Sequence, residues 1–191
     1  MMKSTMDAPE SADGLAPTLL LSMPQMVDPN FSGTVVLLCD YSPDGALGLV
    51  VNRPTDTRAS TAVALDPPPR RDGGIKLWSG GPVDPQRGWI LTTEEPDGVD
   101  YLRLADGLFL STSPELLRQV IETASSRARV LTGYAGWGPG QLDEELAMSA
   151  WLTMDVDLDL LFNTPASSMW EVALRRLGAD PGALQLGQGV H

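Results

Sequence analysis

Thr34-Val-Val-Leu-Leu-Cys-Asp-Tyr-Ser-Pro-Asp-Gly-Ala-Leu-Gly-Leu-Val-Val-Asn52 decides the fold. Its two apolar runs, Val35 to Cys39 and Leu47 to Val51, have the length and the β-branched and leucine content of strands. Ser42-Pro-Asp-Gly45 between them is turn chemistry: proline presets φ, and Asp and Gly tolerate a tight reversal. The stretch predicts a β-hairpin, and Thr18 to Ser22 predicts a strand before it. Downstream, Ile75 to Ser79, Gly88 to Thr92, Asp100 to Leu104 and Leu108 to Leu110 predict further strands, separated by Gly, Pro and Asp. Asp66-Pro-Pro-Pro-Arg-Arg-Asp-Gly-Gly74 predicts an exposed, mobile loop.

Helical periodicity begins at Ser113, an N-cap followed by Pro114 at the first helical position. Leu117, Val120, Ile121 and Ala124 form the inward stripe. Ala128 to Tyr134 returns as a strand, Gly136-Trp-Gly-Pro-Gly140 turns, and Gln141 to Met148 predicts a short acidic helix before the strand Trp151 to Met154. A last helix is capped by Thr164 and opened by Pro165, with Trp170, Ala173, Leu174 and Leu177 inward and Gly178 at its end. Strands first, then strands and helices without regular βαβ alternation, define an α+β fold, mostly antiparallel.

The 191 residues are 42% hydrophobic, enough for one core and one domain. Residues 1–17 mix Asp, Glu, Ser, Pro and Gly without periodicity and read as a disordered tail. They carry neither the charge nor the apolar core of a signal peptide. No apolar run approaches the roughly 20 residues that cross a bilayer, so no membrane partner is expected. A single cysteine, Cys39, forms no internal disulfide, which fits a reducing cytoplasm. Net charge −12 and a pI near 4.3 oppose phosphate backbones, and only Lys3 and Lys76 are lysines. Direct nucleic-acid binding is not expected.

Chemistry is narrowed by counting. The only histidine is His191, the last residue, so no Ser-His or Cys-His pair and no His/Cys zinc site can be assembled. No cofactor is indicated. Gly136 to Gly140 precedes a helix, as phosphate loops do, but no Lys-Ser/Thr follows and Asp143, Glu144 and Glu145 repel an anion. Asp155, Asp157 and Asp159 fail as a calcium loop, because Leu160 and Ala166 stand where Gly and Glu belong, and they read as a solvated acidic edge. Cys39 reads as an inert core residue rather than a redox sensor, since Asp40 beside it disfavours a thiolate. The tryptophans read as packing, with Trp137 on its glycine loop the one placed to touch a partner.

Asn52-Arg53-Pro54 leaves two readings open. A guanidinium and an amide at a strand end can hold a carboxylate or phosphate. Alternatively, and ahead of it, Arg53 pairs with Asp28 and fixes the loop from Met23 to Phe31.

Leu20-Leu-Ser-Met-Pro-Gln-Met-Val-Asp-Pro-Asn-Phe31, Gly45-Ala-Leu-Gly-Leu-Val-Val-Asn-Arg-Pro54, Gly80-Gly-Pro-Val83 and Gly133-Tyr-Ala-Gly-Trp-Gly-Pro-Gly-Gln-Leu142 together resemble the YqgE/AlgH family of bacterial proteins. The resemblance continues through Ala150-Trp-Leu152 and Trp170 to Leu177 and spans residues 18–186, leaving 187–191 as a C-terminal tail. It implies an α+β fold whose strands curl into an irregular barrel-like body flanked by helices, a bacterial cytoplasmic setting, and a regulatory label tied to control of alginate production. It carries no reaction with it. Many relatives have histidines where this chain has Tyr41 and Thr92, so no role built on those imidazoles transfers.

The leading functional expectation is a non-enzymatic regulatory or protein-interaction module whose partner is another protein, a transcriptional regulator by family label only and not by direct DNA binding. The rival is a small-ligand or anion-binding protein, or an enzyme, using a polar cleft of carboxylate, amide and arginine groups. Both place the functional surface where Gln25, Asp28, Asn30, Asn52, Arg53, Trp137 and Gln141 converge from three loops.

Overall fold

The computed structural model describes residues 5–7, 14–180 and 182. The chain divides into two compact units, Met1–Glu10 with Pro54–Tyr134, and Ser11–Arg53 with Ala135–His191. No compositional break marks these boundaries, because one of them falls inside a strand.

The second unit is an antiparallel sheet built on the hairpin. β2 (Thr18–Ser22) pairs with β3 (Val35–Ser42), and β3 with β4 (Gly45–Val50). β11 (Trp151–Met154) adds to the free edge of β2, and the last residues of β10 (Ala128–Trp137) add to β4. All of β2 and the first five residues of β3 are buried. With both faces covered, the sequence runs apolar without alternating. A core of Leu20, Val36, Leu38, Val50, Leu142 and Trp151 is flanked by α3 (Gln141–Ala147), while α4 (Leu158–Asn163) and α5 (Ala166–Arg176) follow β11.

The first unit mixes directions. β7 (Val83–Thr92) pairs antiparallel with Ala128–Tyr134 of β10 and with β9 (Leu108–Ser111), and β9 pairs with β8 (Tyr101–Ala105). β6 (Lys76–Ser79) runs parallel to β10 and antiparallel to β5 (Pro54–Arg58), which leads into the short α1 (Ala59–Ala62). α2 (Pro114–Thr123) lays Leu117, Val120 and Ile121 on Ile90 and Val130. Covering each such side chain contributes about 1.5–3 kcal/mol. Gly133 sits where β10 shifts register, at φ +75°, and any side chain there would meet the Gly81 carbonyl.

Ser113 caps α2 as its sequence predicts, accepting from the Leu116 N–H at 3.3 Å. Several expectations are corrected. Ala124 is the left-handed C-cap of α2, and Leu116 is buried in its place on the stripe. The 66–74 loop is exposed but tied to α2: Arg118 donates to the Pro67 carbonyl (2.7 Å), the Arg70 N–H to Glu122 (2.7 Å) and the Gly73 N–H to the Ile121 carbonyl (3.1 Å). Thr164 ends α4 rather than capping α5, and Leu177 is exposed. Asp157 and Asp159 are engaged, since Asp157 caps α4 and both carboxylates pair with Arg176 at 2.7 and 2.9 Å. The N-terminal stretch is not structureless throughout. Thr5–Asp7 forms β1, parallel to β8, and Leu15 and Ala16 pack on the core of the second unit. Residues 1–4, 8–13 and 187–191 lie outside the described ones.

Candidate functional site

All seven candidate residues lie in the second unit, and most are held by one another's segments. Arg53, just past β4, donates from Nη1 to the Asn30 carbonyl at 2.6 Å and from Nη2 to the Pro29 and Ser32 carbonyls, both at 3.0 Å. Its guanidinium thus clamps the 23–31 loop through backbone oxygens. The expected partner is corrected: the Asp28 carboxylate accepts from the Asn30 N–H (2.9 Å), stiffening the same turn from within. Carbonyls suit this position because three of them can converge on a planar fork, whereas one carboxylate could not fasten three points of a loop. Asn52 joins β3 in the same way, accepting from the Val35 N–H (3.0 Å) and donating to the Gly33 carbonyl (3.0 Å).

The glycine loop is fastened from the other side. Gln141 accepts from the Gly138 N–H (3.0 Å) and donates to Glu145 (3.2 Å). Gln25 reaches the Ser149 carbonyl at 3.3 Å. Trp137 is only 7% exposed, so it is not presented to a partner. Its ring stacks on Phe31 with centroids 6.4 Å apart and meets Trp151 edge-on at 6.1 Å, which brings the 23–31 and 136–141 loops together through aromatic contact.

Sequence reasoning missed the residue at the centre of this arrangement. Glu145 Oε2 accepts both the Trp137 and Trp151 indole N–H groups, each at 2.8 Å. A helical carboxylate following a glycine turn reads as a dipole complement; its role as a shared acceptor depends on a strand partner, Trp151, that no local pattern connects to it.

Cys39 is buried, and burial together with the Asp40 charge pushes its thiol up to about 12, so thiolate chemistry is suppressed. Tyr41 and Thr92 do structural work here. Tyr41 donates its hydroxyl to Asp143, and buried Thr92 accepts from the Glu94 N–H at 3.1 Å. Among the described residues, no three His, Cys, Asp or Glu side chains gather as a metal site, and no helix is long and apolar enough to cross a membrane.

The molecule is thus an α+β protein of mostly antiparallel strands whose motif loops are bound to one another by arginine, amide and indole groups. Residues 19–182 match the model of the AlgH-like family, and the chain belongs to that family. UPF0301 proteins of Burkholderia vietnamiensis (40% identical, covering 97% of this chain and all of the relative) and Ralstonia nicotianae (38%, with the same coverage) are similar over their whole length. The solution structure of the AlgH protein from Pseudomonas aeruginosa aligns over the full length of both chains, with a TM-score of 0.72 and 35% identity. The crystal structure of protein DIP2367 from Corynebacterium diphtheriae, 22% identical over 87% of this chain and 89% of its own, shares the fold with a TM-score of 0.64.

Proposed function

We propose that the chain is a non-enzymatic interaction module that docks another protein through its second unit. The supporting observation is that two large apolar side chains in the locked segments are left in water. Val27 is 92% exposed and Met148 is 74% exposed, in segments tied together by the Gln25 bond to Ser149. Covering both adds favourable burial, and their frame is already ordered, so little conformational entropy is lost on docking. Asp28 follows Val27 and Glu144 precedes Met148 by one helical turn, and both carboxylates are exposed. The fitting partner is therefore a protein with an apolar centre rimmed by Lys and Arg. The Arg53 and Asn52 side chains that an enzyme or anion binder would need at these loops are already bonded to the protein's own backbone. On this reading, the family's regulatory label reflects protein contact rather than DNA binding.

A photo-crosslinker at position 27 is expected to trap one protein in cells of the source organism. The double variant Val27→Asp, Met148→Glu is expected to abolish that product while leaving the urea midpoint unchanged. A product that survives the double variant, or none at all, would overturn the reading.

A further inference from the structure

The first unit contains a cavity of about 300 Å³, bounded by α2, β7, β10 and the segment after α1. Its body is apolar, with Val63, Leu65, Ile90, Leu117 and Val130 in its walls. β7 passes it at Gly88, where a Cβ built on the backbone meets no atom within 4 Å. This exposed strand residue has no side chain to occupy that space, and a glycine inside a strand often marks a close approach by another molecule.

Several polar groups in the wall are left unengaged. Arg118 donates from Nη1 to Glu115 (2.7 Å) and from Nη2 to the Pro67 carbonyl (2.7 Å), yet its buried Nε–H has no acceptor among the described residues. An unpaired buried donor of this kind is costly and calls for an acceptor oxygen. Gln86, Thr132 and Asp66 also line the cavity, and among the described residues no hydrogen bond or ion pair engages their side chains. Charge then selects the ligand. Glu115 already neutralises Arg118, so Asp66 leaves the cavity net negative and an anion is disfavoured. A carbonyl oxygen satisfies Arg118 Nε, while an adjacent N–H satisfies Asp66 or the Gln86 oxygen.

We propose that this cavity binds a neutral small molecule with an apolar body and a carboxamide head, held by Arg118, Gln86, Thr132 and Asp66 over the open face of Gly88. The proposal concerns the first unit and is independent of the docking surface on the second.

The test uses three probes with one body and different heads, hexanamide, hexanoate and hexylammonium, titrated into the full-length ¹⁵N-labelled protein. Hexanamide is expected to give saturable amide shifts at Gly88, Ile90, Leu117 and Thr132, with hexanoate at least tenfold weaker. Gly88→Leu, which fills the space, is expected to abolish the shifts with the remaining spectrum retained. Gln86→Leu, at an exposed side chain, is expected to weaken binding about tenfold, and it decides the matter should Gly88→Leu fail to fold. No saturable shift at these residues, hexanoate or hexylammonium binding as tightly as hexanamide, or unchanged binding in a folded Gly88→Leu or in Gln86→Leu would each overturn the proposal.

Discussion

At the scale of single residues, Arg53 separates a lock from a ligand site. Its fork ends on three backbone carbonyls of the 29–32 turn, so truncation leaves three acceptors without a partner and frees a loop that otherwise holds Phe31 against Trp137. Arg53→Ala is expected to lower the unfolding free energy by about 1–3 kcal/mol in urea titrations. Arg53→Lys is expected to recover little of it, because a point charge on a flexible stem cannot reach three converging oxygens. A wild-type midpoint for Arg53→Ala would show the clamp to be idle and reopen the anion-binding reading. The sequence made the convergence of these segments legible, since Asn52, Arg53 and the 23–31 turn carry more polar groups than plain connections require. It did not make the partner legible. A carboxylate is the default mate for a half-buried arginine, and nothing in the residue pattern says that Pro29 will turn three carbonyls inward.

At the scale of elements, the strands were readable wherever an apolar run met turn chemistry, and β2, β3, β4 and α2 fall where the pattern puts them. What local pattern could not give is pairing that depends on distant segments. β5 is largely exposed and polar, and its strand exists because β6 lies beside it. α4 is a six-residue helix, too short for periodicity to show, and its Asp157 cap was hidden in an alternating acidic run. α3 illustrates the same limit. It starts at Gly140 with no side-chain cap, and its fastening to the sheet includes Glu145 beneath two indoles. Glu145→Ala strands both N–H groups in a mostly buried setting and is expected to destabilise by about 2–4 kcal/mol. Glu145→Gln keeps an acceptor but loses the charge, and is expected to cost less, about 1–2 kcal/mol. Equilibrium unfolding followed by tryptophan emission checks both, and a Glu145→Ala protein as stable as the wild type would remove Glu145 from the centre of the arrangement.

At the scale of the whole molecule, the charge distribution decides which polymers the protein can approach. The net charge of −12 arises from 25 acidic and 13 basic residues, and the basic ones are largely committed. Arg58 faces Asp72, Arg103 faces Glu95 and Asp106, Arg118 faces Glu115, Arg127 faces Glu94, and Arg176 joins Asp157 and Asp159. Arg87 lies over the Trp89 ring at 4.4 Å, and Arg53 is bound to carbonyls. Exposed pairs of this kind contribute little to stability individually, but they cancel the local positive potential that a phosphate backbone needs. Arg70 and Arg71 stand together on the 66–74 loop, a patch too small to release many counterions. Duplex DNA is therefore expected to bind no tighter than about 100 μM at 0.15 M salt, whatever its sequence. Fluorescence anisotropy with a labelled duplex, repeated across a salt series, measures this directly. Micromolar binding with a steep negative slope of log K against log salt would mean that some of these arginines exchange their internal carboxylates for phosphates, and would return DNA to the list of partners.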